Sequence, residues 1–322
     1  MQNDNILVYF TIRESFTAGE LIHYENKEWF PRMKKIRMII PVLCVTLLIA
    51  AGCDLRDNRQ SVPGSKAPEP QSIAMESESR QEQSSPPVPA ILTLTVPEGY
   101  TLPRIGMALE EMGVCTAMAF IDATLQGDYH DFPLIAAQIP NPNRCFALEG
   151  YLFPDTYQIY ASDPPEAIIR RMLSNMESKI GPLRQAIEES GYTVDEILTL
   201  ASIIEKEAFG PEYMPQISSV LHNRLNIGMQ LQCDVTIVYV EGAVKPFITG
   251  DVNRYNEYYN TYKCAAIPAG AICNPGLSAI YAALYPAETD YFFFLTDKDN
   301  NYHFSATWEG HQANERKYLN AA

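Results

Sequence analysis

Downstream of residue 90 the apolar and polar positions fall into short, readable periods. Ile91–Val96 alternates apolar residues with Thr, which predicts a strand, and Pro97-Glu98-Gly99 closes it with a turn. Leu102, Ile105, Leu109 and Met112 recur at helical spacing and stop at Gly113, and Met118, Phe120, Ile121 and Leu125 mark a second helix over Ala117–Leu125. The result is a small β-α-α unit ending near Cys145. A second unit begins at Leu148. Its first helix spans Pro164–Ile180, with Asp163 as the expected cap and Pro at the first position. Thr193-Val194-Asp195-Glu196 is a capping box that opens a helix to about Ala208, and Pro211–Asn226 forms another, stopped by Gly228. After an irregular stretch Leu277–Leu284 is helical. Tyr291–Leu295 and Tyr302–Ala306 are aromatic-rich strands joined through Asp297–Asn301 as a hairpin, and Trp308–Leu319 ends as a helix. Helices with local antiparallel strands, and no βαβ alternation, imply an α+β fold.

Upstream the pattern changes character. Met33-Lys34-Lys35-Ile36-Arg37 is a basic cluster, Met38–Gly52 is an apolar run, and Cys53 follows at once. This is the layout of a secretory signal. As a helix the run rises only ~22 Å, short of the ~30 Å hydrocarbon core, which disfavours a stable span. Ile49-Ala50-Ala51-Gly52-Cys53 resembles a bacterial lipoprotein box, which makes Cys53 the expected lipidation site. Residues 1–32 then read as an upstream extension, with initiation expected at Met33. The alternative is a short uncleaved membrane anchor. Either way the remainder is expected outside the cytoplasm, tethered to the membrane face. Asp54–Ala90, rich in Ser, Pro, Gln and Glu, offers too little apolar surface to offset its ordering entropy and reads as a flexible tether.

Composition and charge narrow the function classes. The 322 residues are 47% hydrophobic and carry a net charge of −15, and the segment through Gly52 is nearly neutral, so the body holds the negative charge. Such a surface repels a phosphate backbone and argues against nucleic acid. The 19 Tyr and 13 Phe leave aromatic platforms open to a neutral, hydroxyl-rich partner such as a glycan. Of the seven Cys, Cys115, Cys145, Cys233, Cys264 and Cys273 remain beyond the signal region, an odd number for an exported chain. Cys115–Cys145 and Cys264–Cys273 close the shortest loops and would leave Cys233 free, although connectivity is not readable from sequence. Without CxxC spacing or clustered His, no metal site and no cofactor are expected.

The candidate chemistry starts in the helix that the capping box opens, which ends in Ala201-Ser202-Ile203-Ile204-Glu205-Lys206-Glu207-Ala208. Ile197, Leu198, Ala201 and Ile204 form its buried stripe. Two carboxylates two residues apart lie about 200° around a helix and cannot share one cleft. Glu207 follows Leu200, Ile203 and Ile204 on its own face, and a carboxyl in apolar company is held protonated, as a general acid requires. The same spacing also fits a solvated helix end beside Lys206.

Further polar motifs follow in order along the chain. They are Leu148-Glu149-Gly150-Tyr151-Leu152-Phe153-Pro154-Asp155-Thr156-Tyr157, then Asn223-Arg224-Leu225, then Gly228–Thr236 with Gln232, Cys233 and Asp234. Tyr259-Asn260-Thr261-Tyr262, Ile267-Pro268-Ala269-Gly270, Asn274-Pro275-Gly276, His303-Phe304 and His311 complete the series. In this order the motifs resemble the endolytic murein transglycosylases of the YceG-like (MltG) family, from Ile91 to the end. The resemblance implies a small LysM-like unit over 91–147 and a mostly helical catalytic domain with a β-hairpin over 148–322. It implies cleavage of the β-1,4 bond between N-acetylmuramic acid and N-acetylglucosamine in nascent peptidoglycan, with Glu207 as acid and then base and a 1,6-anhydro product. It also suggests that Gln232, Asp234, Asn260, Tyr262 and Asn274 line the cleft, and that a peptidoglycan synthase is a partner at the same membrane face.

Other readings of these residues stand beside that one. Asn and Asp often satisfy turn backbones, and Tyr151, Phe153 and Tyr157 fit a core as well as a sugar platform. Asn223 and Arg224, within a helix, fit local pairing, and His303 fits a structural hydrogen bond. The chain departs from the family pattern at Val235 and Ala269, where Pro is usual, and in its lipobox-like anchor. A disulfide among Cys233, Cys264 and Cys273 would clamp the cleft loops. A hydrolytic muramidase using Asp234, a silent glycan-binding lipoprotein, and a thiol enzyme using Cys233 with His222 are the competing classes.

Overall fold

The computed structural model describes Ala90–Leu319 except Ile139 and Ala265. The expected extension (1–32), signal with Cys53 (33–53) and tether (54–90, apart from Ala90) lie outside the described residues. Strand β1 (Ile91–Thr95) pairs antiparallel with β2 (Thr156–Tyr160), setting Leu94 opposite Tyr157 and Leu92 opposite Ile159. Leu94 and Ile159 point inward while Thr93, Thr95, Thr156 and Gln158 face out, the alternation a one-sided sheet demands. This pairing crosses the boundary expected at Ala147–Leu148, and the described residues fall in one compact unit.

Helices α1 (Leu102–Glu111) and α2 (Ala117–Gln126) stand where the periodicity predicts them, each capped by a Thr hydroxyl, from Thr101 and Thr116. A one-turn α3 (Pro133–Ala136) follows. Helix α4 (Pro165–Ile180) begins with Pro164, not Asp163, at its cap. The Asp163 carboxylate instead accepts from the Tyr160 N–H and the Arg171 guanidinium, holding the end of β2. Short α5 (Arg184–Ser190) ends at Gly191, whose φ of 79° is the left-handed value that glycine adopts freely.

At the centre lies α6 (Val194–Glu207). The Thr193–Glu196 capping box is formed at both bonds, 3.2 and 2.8 Å. Its apolar stripe is wider than a surface helix requires, for every residue from Ile197 to Glu205 is buried. The reason is α10 (Leu277–Leu284), which packs against α6 with its small Ala279, Ala282 and Ala283 buried. Burying a side chain such as Leu198 or Ile204 contributes roughly 1.5–3 kcal/mol, so this helix is the rigid support for its own C-terminal end. Helix α7 (Met214–Asn226) follows a 3-10 turn at Pro211–Tyr213. The irregular stretch holds short α8 (Val235–Tyr239) and α9 (Tyr255–Tyr259), too brief to display a periodic face. Strands β3 (Phe293–Thr296) and β4 (Tyr302–Ser305) form the predicted hairpin, and α11 (Trp308–Asn314) passes into a wide turn over Glu315–Leu319.

The cysteine expectation needs correcting. Cys115, Cys145, Cys233, Cys264 and Cys273 are all free thiols. Each half of the expected Cys264–Cys273 clamp is engaged elsewhere: Cys264 donates to the Glu257 carbonyl and Cys273 to that of Ser202. Backbone and hydroxyl bonds hold the loops instead.

Candidate active site

The end of α6 divides its two carboxylates as the helical angle requires. Glu205 is buried, and its carboxylate accepts the Gly276 N–H at 3.2 Å. Glu207 projects the other way, partly buried, toward the Leu231–Asp234 loop and Arg224 of α7. As the last residue of α6 its carbonyl is an orphan of the helix terminus. The Tyr302 hydroxyl satisfies it and accepts the Phe209 N–H at 3.0 Å, so β4 pins the end of the helix.

Burial pushes the Glu207 carboxyl up to about 7, with the negative Asp234 adding to the rise; a Cys233 thiol bond and the Arg224 charge pull it partly back. Arg224 is itself fixed, donating to the Phe292 carbonyl at 2.7 Å and to that of Leu231, with its guanidinium 5.4 Å from the Phe293 ring centre. A carboxyl titrating near neutrality at the mouth of a packed core can both give and take a proton, which is what general acid–base work demands.

Two loops face Glu207. The first carries Gln232, Cys233 and Asp234. Gln232 is left-handed (φ 52°), an uncommon state for a non-glycine residue, and its side chain is exposed while Cys233 turns inward. The second carries Asn260, Thr261 and Tyr262. The Tyr262 hydroxyl donates to Asp234 Oδ1 at 2.8 Å and its ring stays open to solvent. Burial and the Asp234 contact raise its phenol, so Tyr262 serves as a proton donor in that bond. Asn260 Oδ1 accepts the Tyr262 N–H at 2.9 Å and shapes the turn. Four of the five expected cleft residues thus come together on these two loops.

Asn274 is the exception, and its place is a correction. It is fully buried, and its amide is spent on internal partners. Its oxygen accepts from the Gly150 and Leu152 N–H groups at 3.0 and 2.9 Å, while its nitrogen donates to the Tyr100 carbonyl and to Glu149 Oε1 at 3.0 and 3.1 Å. No bonding capacity remains for a glycan. Glu149 completes this network by accepting the Leu102 N–H at the start of α1 (2.9 Å) and the Tyr239 hydroxyl (3.2 Å).

The remaining candidates resolve toward structure. Tyr151, Phe153 and Tyr157 are buried in the core. Asn223 donates to the Thr289 and Tyr291 carbonyls, so it pins the approach to β3 and does not pair within α7. His303 bonds Asp297 in the hairpin at 2.8 Å. His222 is held by the Ala283 carbonyl and the Tyr192 hydroxyl, and burial drives the Cys233 thiol well above its ordinary range, so the pair is no thiol catalyst. Among the described residues no three His, Cys, Asp or Glu side chains gather as a metal site. Sequence reasoning missed Cys233 as a neighbour of Glu207, and Thr261; neither carries a charge or a spacing that marks it.

Comparison with known proteins places this arrangement. The family model described as the YceG-like family matches residues 70–317. An endolytic murein transglycosylase of Streptococcus pneumoniae is 31% identical over 254 residues, covering 73% of this chain and 46% of the relative. One from Bacillus subtilis is 32% identical over 235 residues, covering 71% of this chain and 65% of the relative. This chain therefore spans about half the length of the first relative and under two thirds of the second. The crystal structure of a YceG-like protein from Listeria monocytogenes superposes with a TM-score of 0.61 at 32% identity, over 69% of this chain and 75% of that one. With the family model running from before β1 to the last turn, the chain belongs to the YceG-like family.

Proposed function

We propose that the chain is an endolytic lytic transglycosylase that cuts the β-1,4 bond between N-acetylmuramic acid and N-acetylglucosamine inside peptidoglycan strands. The observation that carries this reading is Glu207, a partly buried residue at a rigid helix end whose carboxyl is raised to about 7. The names of the family's relatives point the same way. Protonated Glu207 delivers its proton to the leaving glycosidic oxygen. As carboxylate it then takes the proton of the muramyl C6 hydroxyl while that oxygen closes on C1. The proton lost in the first step is regained in the second, a 1,6-anhydro end forms, and no water is consumed. Tyr262 and Gln232, exposed beside Asp234, are the side chains best placed to hold the sugar. Anchoring through Cys53 and action beside a synthase, to terminate growing strands, fit the signal-like segment and the polymeric substrate.

One observation favours a second reading. Asp234 is a second carboxylate close enough to raise Glu207, and opposite a general acid it could activate water for hydrolysis. Mass spectrometry of glycan strands digested by the protein separates the two. Anhydromuramyl ends that vanish with Glu207→Gln support the transglycosylase; reducing ends establish the hydrolase. Binding without cleavage leaves a glycan-binding lipoprotein.

A further inference from the structure

The two site loops are joined by one buried hydroxyl. Thr261 is fully buried between two neighbours, Asn260 and Tyr262, that are not. Its Oγ1 accepts the Cys233 N–H at 2.8 Å and lies 3.1 Å from the Cys233 carbonyl, to which it donates. Its own carbonyl accepts the N–H of left-handed Gln232 at 3.1 Å. Thr236 closes the clasp from α8: its hydroxyl donates to the Cys233 carbonyl at 2.8 Å and accepts the Thr261 N–H at 3.4 Å. Both backbone polar groups of Cys233 are therefore gripped by side-chain hydroxyls, in a segment with no strand partner to grip them. The Cys233 thiol donates to the Leu231 carbonyl at 3.5 Å, and the next residue is Asp234, whose Oδ1 accepts the Tyr262 hydroxyl at 2.8 Å.

We propose that Thr261 is a positioning residue of the active site, whose clasp on the Cys233 backbone holds the loop that carries Asp234 beside Glu207 and so sets the acid strength of Glu207. Stated for the carboxyl alone, the claim needs no glycan; its consequence for catalysis rests on the transglycosylase reading. The groups facing Glu207 are Asp234 and Cys233 from the first loop, Tyr262 from the second and Arg224 from α7, with the Tyr302 hydroxyl on its backbone. Burial and Asp234 raise Glu207, whereas Cys233 and Arg224 lower it, the first pair prevailing. Loosening the clasp lets Asp234 withdraw and water enter, and both changes move Glu207 down toward the ordinary carboxylate range; the withdrawal of Cys233 acts the other way, but burial and Asp234 are the larger causes. The left-handed Gln232 fits the same account: it is the backbone state that drops Cys233 into the clasp, and its strain persists only while the surroundings impose it.

The test titrates the Glu207 carboxyl by carbon NMR in the full chain labelled at glutamate, with Glu207→Gln identifying its resonance. Thr261→Val keeps the shape and removes the hydroxyl; Thr261→Ser keeps the hydroxyl. The proposal expects a Thr261→Val midpoint lowered by about half a unit or more, a Thr261→Ser midpoint near wild type, and an alkaline limb of glycan cleavage that moves with the midpoint. Equal midpoints in all three proteins overturn it. Should Thr261→Val fail to fold, Thr236→Val breaks one arm of the clasp: a smaller drop supports the proposal and an unmoved midpoint overturns it. Because the resonance reports whether or not the protein cuts glycan, a failed cleavage assay with a shifted midpoint removes the enzyme reading and leaves the clasp standing.

Discussion

Glu149 and Glu207 are both carboxyls that burial has pushed far above their ordinary range, to about 8 and about 7, yet their surroundings give them opposite uses. Glu149 has no exposed surface and is ringed by three donors, the Leu102 N–H at the start of α1, the Tyr239 hydroxyl at the end of α8 and the Asn274 amide, which itself accepts from the Gly150 and Leu152 N–H groups. Its oxygens are committed, and nothing from solvent reaches them. Glu207 keeps an open side, and its polar neighbours are a thiol, a guanidinium and a second carboxylate, not a closed ring of donors. A perturbed carboxyl marks a catalytic site only when substrate can reach it. Glu149 is the better buried acid, and for that reason the worse catalyst.

The sharpest way to break the comparison is to neutralise the open carboxyl. Glu207→Gln should lower glycan cleavage by about 10²–10⁴-fold, the usual worth of a positioned acid–base group. Its urea midpoint should stay at or above wild type, since a group that resists ionisation in the fold is replaced by one that never ionises. A large loss of stability with this variant would mean that Glu207 is structural like Glu149. The reverse profile belongs to Glu149→Ala. That change strands the Leu102 N–H, the Tyr239 hydroxyl and the Asn274 amide. With about one to three kcal/mol at stake for each stranded group, about 3 kcal/mol or more of stability should be lost. Urea unfolding measures this, and activity per folded molecule should survive better than in Glu207→Gln.

The two acids also separate along the pH axis. For a group whose folded-state value is raised, the stabilising contribution is complete below the ordinary carboxylate range near 4.5. It is lost as pH rises through the folded value. Stability should therefore fall between about pH 5 and pH 8, contrary to a protein held by paired carboxylates. Melting temperatures across that window should show a shallower slope below about pH 7 in Glu207→Gln, whereas Glu149→Gln should flatten the slope throughout and abolish the part between about pH 7 and 8. On the proposed mechanism cleavage needs protonated Glu207, so it should decline above about pH 7, and Glu149→Gln should leave that profile unshifted.

How much of this was legible beforehand depends on the kind of signal each part emits. Long elements with one apolar face announced themselves: α1, α2, α6 and Leu277–Leu284 stand where the periodicity puts them. The capping box at Thr193 fixed the start of α6, and a 200° turn correctly parted Glu205 from Glu207. The pairing of β1 with β2 was hidden because 60 residues intervene and strand partners at that distance leave no local mark, which is why a boundary was expected between them. Asn274 and Asp234 look alike in sequence, short polar residues in loops. Only packing reveals that one lies beneath Tyr100 and Gly150 while the other meets Tyr262 at the surface. The thiols misled for a related reason: loop length governs which cysteines are able to pair, but burial and backbone acceptors decide whether they do.

The smallest effect expected comes from the tie that holds the open carboxyl's helix in place. Tyr302 carries a single hydroxyl between the Glu207 carbonyl and the Phe209 N–H, and its ring packs 4.6 Å from that of Tyr213. Tyr302→Phe keeps the ring and loses both bonds. The stability cost should be about 1 kcal/mol, because half-buried backbone groups at a helix end regain water once the hydroxyl leaves. The effect on cleavage should be a severalfold fall in kcat at nearly constant KM, since the last turn of α6 frays and Glu207 spends less time in register with the glycosidic oxygen. A fall of the same size as in Glu207→Gln would place the Tyr302 hydroxyl in the chemistry itself. An unchanged kcat would show that packing along α6 and α10 alone is enough to aim the acid.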